Sequence, residues 1–420
     1  MKTFNIRKSG DLHELGQSLL GQVEVKARRE SYSNSSIQRI AREALESLDC
    51  KLLYDPRLWA DFIQSTSVPQ GRHWFSDVPM VLARNRNLYV ELLCWMSGTT
   101  DIHAHSFCGA FRVIQGSSIH TPYHFKPKRW ISDALVLGQL IGRGPEYLGC
   151  GSVREIVPGH NGLIHSLFHL DAPSLTLLIR THTSRAAKPQ LAFYPPGLGI
   201  DDPGLEEDEE IRQLTRLFAT TARADRRALE PLMLEALSRL DAPRLVKMCL
   251  TFSARFASDD KRRRLIDMVT KRHDEELADW LGHVLRERVL QSQIRASRET
   301  VDDPEIRFFL GLLLNVRDRS ALFELVNQRF PDCDPSRACA EWLLGLSKLR
   351  ANAAAFMQEV AARSEGPGYR LGSLIANRLP EGASAEQIQF WLRGGVGSDD
   401  SGSLRNPFLD LPELSVLFRD

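Results

Sequence analysis

The chain has 420 residues, with 54 Lys and Arg against 53 Asp and Glu, a net charge of +1, and 43% hydrophobic residues. This composition is ordinary for a soluble globular protein, and the small net charge gives no reason to expect a nucleic-acid or acidic-membrane partner. At roughly 150 residues per domain, the length predicts two or three domains.

The cysteine content and the hydropathy of the chain indicate which cellular compartment to expect. The 7 cysteines are dispersed without a Cys-x-x-Cys pair, which is typical of reduced thiols in a cytosolic protein. The first ten residues lack the apolar core of a signal peptide. No run approaches the ~20 apolar residues that span a bilayer. We therefore expect a cytoplasmic protein with no membrane partner.

Residues 1–69 are predicted to be a helical segment that packs on a following barrel. Asn34 or Ser35 is the expected N-cap of one helix, and Arg57–Ile63 forms another. The apolar face of the first of these helices contains Ile37, Ile40, Ala41, Ala44 and Leu45.

Residues 70–195 contain nine short β-prone segments separated by Gly, Pro, Asn and Asp, as in an antiparallel barrel or jelly roll. The predicted strands are Val78–Ala83, Leu88–Met96, Ala110–Ile114, Ser118–Phe125, Ala134–Ile141, Ser152–Val157, Leu163–His169, Leu175–Thr181 and Gln190–Tyr194.

Histidine is concentrated in the same region, which contains nine of the 12 in the chain. His103 and His105 are two residues apart, so on a strand their side chains leave the same face. His165 precedes the apolar strand Leu175–Thr181 and supplies a third imidazole. Three histidine ligands with open positions are typical of a catalytic metal site. The alternative is a pair of polar histidines on the wet face of a strand.

Other side chains are candidates for the same pocket. Arg84 and Arg86 precede a strand and are two residues apart, so either guanidinium is a candidate clamp for a substrate carboxylate. Arg112 and Arg180 are further candidates. His169 is a candidate pocket residue, whereas His120 and His124 flank Pro122 near an expected turn.

Several motifs in this region resemble those of the cupin superfamily, and most closely those of cysteine-dioxygenase-type thiol dioxygenases. The matching stretches are Arg84-Asn85, Cys94-Trp95, Gly98, Ile102-His103-Ala104-His105, Ile114-Gln115-Gly116 and Pro158–His165.

The resemblance implies that His103, His105 and His165 bind Fe(II), with zinc, nickel or copper as other ions that such a site accepts. It also implies a role for Cys108, which lies beside Gly109, the position of a cross-linked cysteine in animal-type members. The chain departs from the family in two ways. The cupin glutamate after the second histidine is missing, and the aligned Thr176–Arg180 contains no Ser-His-Tyr relay.

Residues 196–206 are rich in Pro, Gly and Asp and are predicted to be a linker, and the acidic run Glu206–Glu210 suits the start of a helix. Residues 207–420 are predicted to be an all-helical domain that serves as a scaffold, a lid, or a surface for a homodimer or a protein partner. The expected helices are Leu229–Leu240, Leu245–Phe256, Glu275–Leu290, Ile306–Val316, Leu322–Phe330, Cys339–Leu349 and Ala353–Val360.

These patterns predict an α+β protein with a cupin-type antiparallel barrel, N-terminal helices and a C-terminal all-α domain. The resemblance implies a non-heme iron oxygenase that uses O₂ on a small thiol- or carboxylate-bearing substrate or a larger biosynthetic intermediate. Two alternatives remain open at this point. One is a non-catalytic metal-binding module for regulation or interaction, and the other is a metal-dependent isomerase or lyase.

Overall fold

The structure is a computed structural model that describes residues 3–30, 32–70, 76–96, 101–182, 190–201, 208–348, 370–380, 382–393, 406, 408 and 410–418. It separates into two compact units, one formed by Met1–Arg143 and Leu148–Leu285, the other by Gly144–Tyr147 and Arg286–Asp420. The fold is a mixture of helices and sheets, as predicted, and its two large sheets are antiparallel.

The first unit begins with three helices and a two-stranded parallel sheet. These elements are β1 (Thr3–Asn5), α1 (Ser9–Arg29), α2 (Asn34–Glu46), β2 (Asp49–Lys51) and α3 (Pro56–Ser65).

The start of α2 differs from the prediction. Its N-cap is Ser33, with extended backbone and a side chain that accepts a hydrogen bond from the Ser36 amide, so neither Asn34 nor Ser35 is the cap. An N-cap needs a non-helical backbone, and Asn34 is already helical. The apolar face predicted for this helix is buried in full.

Twelve more strands follow. They are β3 (Val78–Arg84), β4 (Leu88–Trp95), β5 (Ile102–His103), β6 (Gly109–Gln115), β7 (Ser118–Ser132), β8 (Leu135–Gly142), β9 (Glu146–Leu148), β10 (Val153–Ile156), β11 (Ile164–His169), β12 (Ser174–Thr181), β13 (Ala192–Tyr194) and β14 (Leu198–Ile200).

The first large sheet has the order β10-β6-β12-β4-β3. Successive side chains along each of its strands leave opposite faces of the sheet, so they enter two different environments. On β12, Leu175, Leu177 and Ile179 pack in one core with the buried faces of α1–α3. Leu178 lies on the other face and joins a second apolar cluster. The sheet therefore has one face toward the N-terminal helices and one toward that cluster.

In the second large sheet, β11 pairs with both β5 and β7. The ladder continues from β5 through β13 and β14 to β8, and β8 pairs with β7. Leu167 of β11 belongs to the same apolar cluster as Leu178, Phe111 and Trp95 of the first sheet. That cluster joins the two sheets.

The nine predicted strands are all present, and the structure adds five short strands, β1 and β2 in the segment predicted to be helical and β5, β9 and β14 further along the chain. The strand β5 contains only Ile102–His103, so His105 lies beyond its end. The strand β14, Leu198–Ile200, falls within the predicted linker, and all three of its residues are buried. Proline and glycine at residues 195–197 form the turn of a hairpin in which β14 pairs with β13. Gly98 lies outside the described residues.

The described helices that follow are α4 (Glu209–Ala224), α5 (Arg226–Leu237), α6 (Ala242–Thr251), α7 (Asp259–Arg272), α8 (Glu275–Glu299), α9 (Pro304–Asn315), α10 (Arg319–Arg329), α11 (Pro335–Lys348), α12 (Arg370–Arg378) and α13 (Ala385–Leu392). None of the described helices combines the length and the apolarity needed to cross a bilayer.

Aspartate begins many of these helices. Its carboxylate accepts backbone N–H bonds that the first turn cannot satisfy internally. The aspartates in this role are Asp208, Asp225, Asp241, Asp303 and Asp318. Asp208 belongs to the predicted acidic run, whereas Glu206 and Glu207, like the predicted helix Ala353–Val360, lie outside the described residues.

The apolar faces of the helices pack within both units. In the first unit, residues of α4–α8 up to Leu285 share a core with β8, β13 and β14. In the second unit, Trp342 packs against Phe308 and Phe309, and its indole N–H donates to the Glu305 carboxylate at 2.9 Å. The boundary between the units falls inside α8, and the predicted domain limits stay a prediction.

The contact between α1 and β3 gives a stability prediction. A Cβ on Gly16 would lie 2.7 Å from Leu82 Cβ and 2.8 Å from its carbonyl carbon, whereas a Cβ on Gly21 of the same helix would meet nothing within 4 Å. Gly16→Ala should lower the free energy of unfolding by about 1–3 kcal/mol through overpacking. Gly21→Ala, the matched control, should raise it by up to about 1 kcal/mol through helix propensity.

Urea denaturation of the wild-type protein and both variants measures the two effects. Equal stabilisation by the two substitutions would contradict the close packing of α1 on β3.

Candidate metal centre

The pairing of β5 with β11 brings two histidines together. His103 and His165 are directly opposite in the antiparallel register, and residues that face each other across such a pair project from the same side of the sheet. His105 follows two residues after His103. One ring nitrogen from each of the three lies within 4.8 Å of the others, so the group could hold a metal ion. His105 and His165 are buried, and His103 is half-buried.

Hydrogen bonds to the outer nitrogens hold two of the rings. His103 Nδ1 lies 2.7 Å from the Asp101 carbonyl oxygen, which only accepts, so Nδ1 carries the proton and Nε2 presents a lone pair. His165 Nδ1 lies 2.8 Å from Nε2 of His120, a buried residue of β7. Partners of this kind fix the tautomer and orientation of a metal-binding imidazole.

The ring nitrogens at the centre of the group are close to one another and incompletely satisfied. His105 Nε2 and His165 Nε2 are 3.0 Å apart. His105 Nδ1 is buried and has no hydrogen-bond partner among the described residues, so one ring nitrogen of His105 is unsatisfied whichever tautomer it adopts. A cation bound by the lone pairs of both Nε2 atoms would replace this contact with two nitrogen–metal bonds.

Burial keeps the group uncharged. It lowers the pKa of His103, and it lowers the pKa of His105 and His165 well below the ordinary histidine value, with a further contribution from the neighbouring imidazoles. The apolar wall includes Phe107, whose ring centroid is 5.0 Å from that of His105, and Phe111, 6.1 Å from His165. Neutral imidazoles are the form that binds a metal.

Arg84 and Arg86 are not brought to this group. Both are exposed, Arg84 at the end of β3 and Arg86 in the turn before β4, and among the described residues neither contacts the three histidines. The Arg84 guanidinium lies 5.1 Å from the centre of the Tyr89 ring. Their position in a hairpin turn explains the exposure.

Cys108 also differs from the prediction. It lies in the core shared with α1–α3, and its thiol contacts Asn34 of α2 at 3.5 Å and Thr181 at 3.7 Å. Burial raises the pKa of this thiol. A Cβ on Gly109 would lie 2.0 Å from the Ile179 carbonyl oxygen, so that position has no room for a cysteine. The structure therefore places Cys108 on the helix side of the sheet and away from the histidines.

His169 faces the same side of β11 as His165, because the two are four residues apart, an even spacing along a strand. It is buried, its ring stacks on Trp95 at 4.5 Å, and its Nδ1 lies 3.0 Å from the Ser118 hydroxyl. These contacts make it part of the wall between the sheets.

Two features near the histidines were ranked low or overlooked in the sequence. His120 lies in the predicted strand Ser118–Phe125, near the turn expected at Pro122, but β7 continues through Pro122, and alternation places residues 118, 120 and 122 on one face opposite β11. Arg180 was ranked below Arg84, yet it is buried and its guanidinium lies 4.9 Å from the Phe107 ring. The alternation of β12 could have indicated that Arg180 shares the face of Leu178.

No protein-family model matches the chain, and no curated protein matches it. Similar solved structures include a cupin superfamily protein from Desulfitobacterium hafniense, 12% identical over 28% of this chain and 95% of its own, with a TM-score of 0.17. Hydroquinone 1,2-dioxygenase from Sphingomonas sp. TTNP3 is 11% identical over 32% of this chain and 81% of its own, with a TM-score of 0.21.

Oxalate decarboxylase from Lactobacillus farciminis is 17% identical over 23% of this chain, with a TM-score of 0.16, and the match spans 24% of that enzyme. The structural neighbours thus include cupin-superfamily proteins, and enzymes of different reaction classes are among them.

The lowered histidine pKa values predict how the metal-free protein responds to acid. Below about pH 6.5 the unfolded chain binds protons that the buried His105 and His165 do not, so folding stability falls as the pH falls. Each imidazole adds up to about 1.4 kcal/mol per pH unit to that loss.

Urea denaturation between about pH 7.5 and pH 5.5 measures the slope, with a His105→Gln/His165→Gln double variant as the uncharged comparison. We expect a shallower slope in the double variant. The same slope in both proteins would show that the two imidazoles are not held neutral.

Proposed function

We propose that this protein is a metal-dependent, cupin-type oxygenase that acts with O₂ on a small thiol- or carboxylate-bearing substrate or a larger biosynthetic intermediate. The observation that carries the proposal is that one ring nitrogen from each of three histidines lies within 4.8 Å of the other two. The cysteine-dioxygenase-like motifs of residues 84–165 add support for Fe(II). The pairing of β11 with both β5 and β7 supports a barrel-like arrangement around the group.

The donor set fits a divalent first-row ion. His103, His105 and His165 would hold it through nitrogen atoms alone, and the described residues bring no carboxylate into the group. Imidazole suits iron, zinc, nickel and copper, so the donor set by itself does not select iron. When bound, a ferrous ion supplies open positions for substrate and for O₂.

The protein's own residues perform three tasks in this account. His120 and the Asp101 carbonyl orient the outer nitrogens of His165 and His103. Phe107 and Phe111 exclude water from one side of the group. Because the imidazoles are neutral, they do not cancel the charge of a divalent ion, and the site favours an anionic substrate group such as a thiolate or a carboxylate.

The metal assignment predicts the effect of removing single ligands. His103→Ala or His165→Ala should reduce bound metal from about one ion per chain to near zero, because two imidazoles hold a divalent ion far less tightly than three. Elemental analysis of the purified variants measures the loss. His124→Ala, on β7 and outside the group, is the matched control and should keep its metal.

Circular dichroism should show that the helices are retained in all these variants. Full metal content in His103→Ala or His165→Ala would rule out the ligand assignment.

The role of His120 predicts a graded series. His120→Leu removes the partner of His165 Nδ1 and should weaken metal affinity about 10- to 100-fold. His120→Gln retains a side chain able to accept the Nδ1 proton and should recover part of that loss. Isothermal titration with Co(II) compares the three proteins, and equal affinities would show that His120 does not orient His165.

Oxygen consumption tests the reaction class. Iron-loaded protein supplied with small thiols and thiol carboxylates should consume O₂ in proportion to product, with no turnover in its absence. Turnover that continues without O₂ would replace the oxygenase with an isomerase or lyase. Protein that binds ligand without turnover would be a regulatory or interaction module.

A further inference from the structure

The three histidines of the candidate metal centre are not held in the same way. His103 and His165 lie on strands, and each has a hydrogen-bond partner at its outer nitrogen. His105 has neither support, because β5 ends at His103 and the His105 Nδ1 atom has no hydrogen-bond partner among the described residues. The position of the His105 ring therefore depends on how the backbone beyond β5 is held.

Main-chain hydrogen bonds hold the first two residues beyond β5. The Ala104 N–H donates to the Leu191 carbonyl at 2.9 Å, which brings this stretch against the residues that precede β13. The His105 carbonyl accepts from the Gly159 N–H at 2.7 Å. These two bonds fix the chain up to His105, and the chain that leaves His105 needs a further partner.

A side chain supplies that partner at Ser106. The register of β5 with β13, in which Ala192 lies opposite His103, would bring residue 190 opposite His105 if the pairing continued. The Gln190 side chain instead reaches Ser106, and its Oε1 accepts from the hydroxyl at 3.0 Å and from the N–H at 3.4 Å. Ser106 is 4% exposed, so water does not readily replace this acceptor.

The bond from Ser106 to Gln190 affects two rings of the site. Ser106 stands between His105 and Phe107 in the chain, and the centres of those two rings are 5.0 Å apart. A displacement of Ser106 would therefore move a metal-binding imidazole and the apolar wall beside it.

We propose that Gln190 is a positioning residue, which keeps His105 in place for metal binding by accepting the two hydrogen bonds from Ser106. Without this acceptor, residues 104–106 adopt further conformations in which the His105 ring lies out of reach of the other two histidines. The apparent metal affinity then falls in proportion to the fraction of molecules that keep the ring in place. This inference rests on the proposed metal centre and is independent of the reaction catalysed there.

Metal binding by variants of Gln190 tests the inference. Full-length chain freed of metal is titrated with Co(II) in a calorimeter, and the visible absorption band of bound Co(II) is recorded at saturation. Gln190→Met keeps the length of the side chain without an acceptor, so it should weaken Co(II) binding about 10- to 100-fold and alter the band, which reports the ligand arrangement. Gln190→Glu retains an acceptor oxygen and should recover the wild-type band.

A second glutamine provides the matched control. Gln70 Oε1 accepts from the Val81 N–H at 2.8 Å on the edge strand β3, so Gln70→Met also removes a bond between a side chain and the main chain. It should lower stability in urea and leave the Co(II) affinity and band unchanged. Ser106→Ala removes the hydroxyl and keeps the N–H, so it should weaken Co(II) binding less than Gln190→Met does. Circular dichroism checks the fold of every variant.

The outcomes separate this inference from the metal centre itself. Weaker Co(II) binding and an altered band in Gln190→Met, with neither change in Gln70→Met, support the positioning role. Wild-type affinity and band in Gln190→Met overturn that role and leave the metal centre intact; Ser106→Ala decides in the same way if Gln190→Met does not fold. An equal loss of Co(II) binding in Gln70→Met also overturns it. Failure of wild-type protein to bind Co(II) overturns the metal centre and the role of Gln190 with it.

Discussion

The site depends on the antiparallel register between β5 and β11. That register places His165 directly opposite His103, and β11 is also paired along its whole length with β7. A slip of one residue would turn every side chain of β11 to the other face. His165 and Leu167 would then exchange places with Ile164 and Ser166. The double pairing of β11 therefore stabilises the histidine group as well as the sheet.

Because side chains alternate along a strand, neighbouring residues of the first sheet enter two different environments. The side chains of Cys108, which precedes β6, and of Leu177 and Ile179 on β12 enter the core beneath α1–α3. The side chains of Phe111 and Leu178 enter the cluster between the sheets, and Arg180 follows them. The Cys108 thiol and the Arg180 guanidinium therefore lie on opposite faces of the first sheet.

Burial favours the neutral form of the three histidines, and hydrogen bonds orient two of their rings. Burial disfavours the protonated imidazoles, while the Asp101 carbonyl and His120 hold the outer nitrogens of His103 and His165. Arg180 and Glu91 form a buried ion pair, and the Arg180 guanidinium lies 4.9 Å from the Phe107 ring. Such an arrangement suits a site where a cation and an anionic ligand meet.

Local pattern was sufficient to predict nine of the strands and to single out the three histidines. The predicted strands of residues 78–194 are bounded by turn residues, and a spacing of two between His103 and His105 predicts a shared side on a strand. Pairing partners are not local, so the sequence alone does not predict that Arg180 pairs with Glu91 or that the Cys108 thiol contacts Asn34. Glu91 is a partner of Arg180 because β4 pairs with β12, a pairing that the sequence does not indicate. The strand β14 was missed because prolines and glycine, which form its hairpin turn, also mark linkers.

Anomalous diffraction from crystals of the metal-loaded protein would test the central claim most directly. The account predicts one strong peak per chain at bonding distance, ~2.1 Å, from a ring nitrogen of each of His103, His105 and His165. A peak held by other residues, or its absence in protein shown by elemental analysis to contain metal, would contradict it.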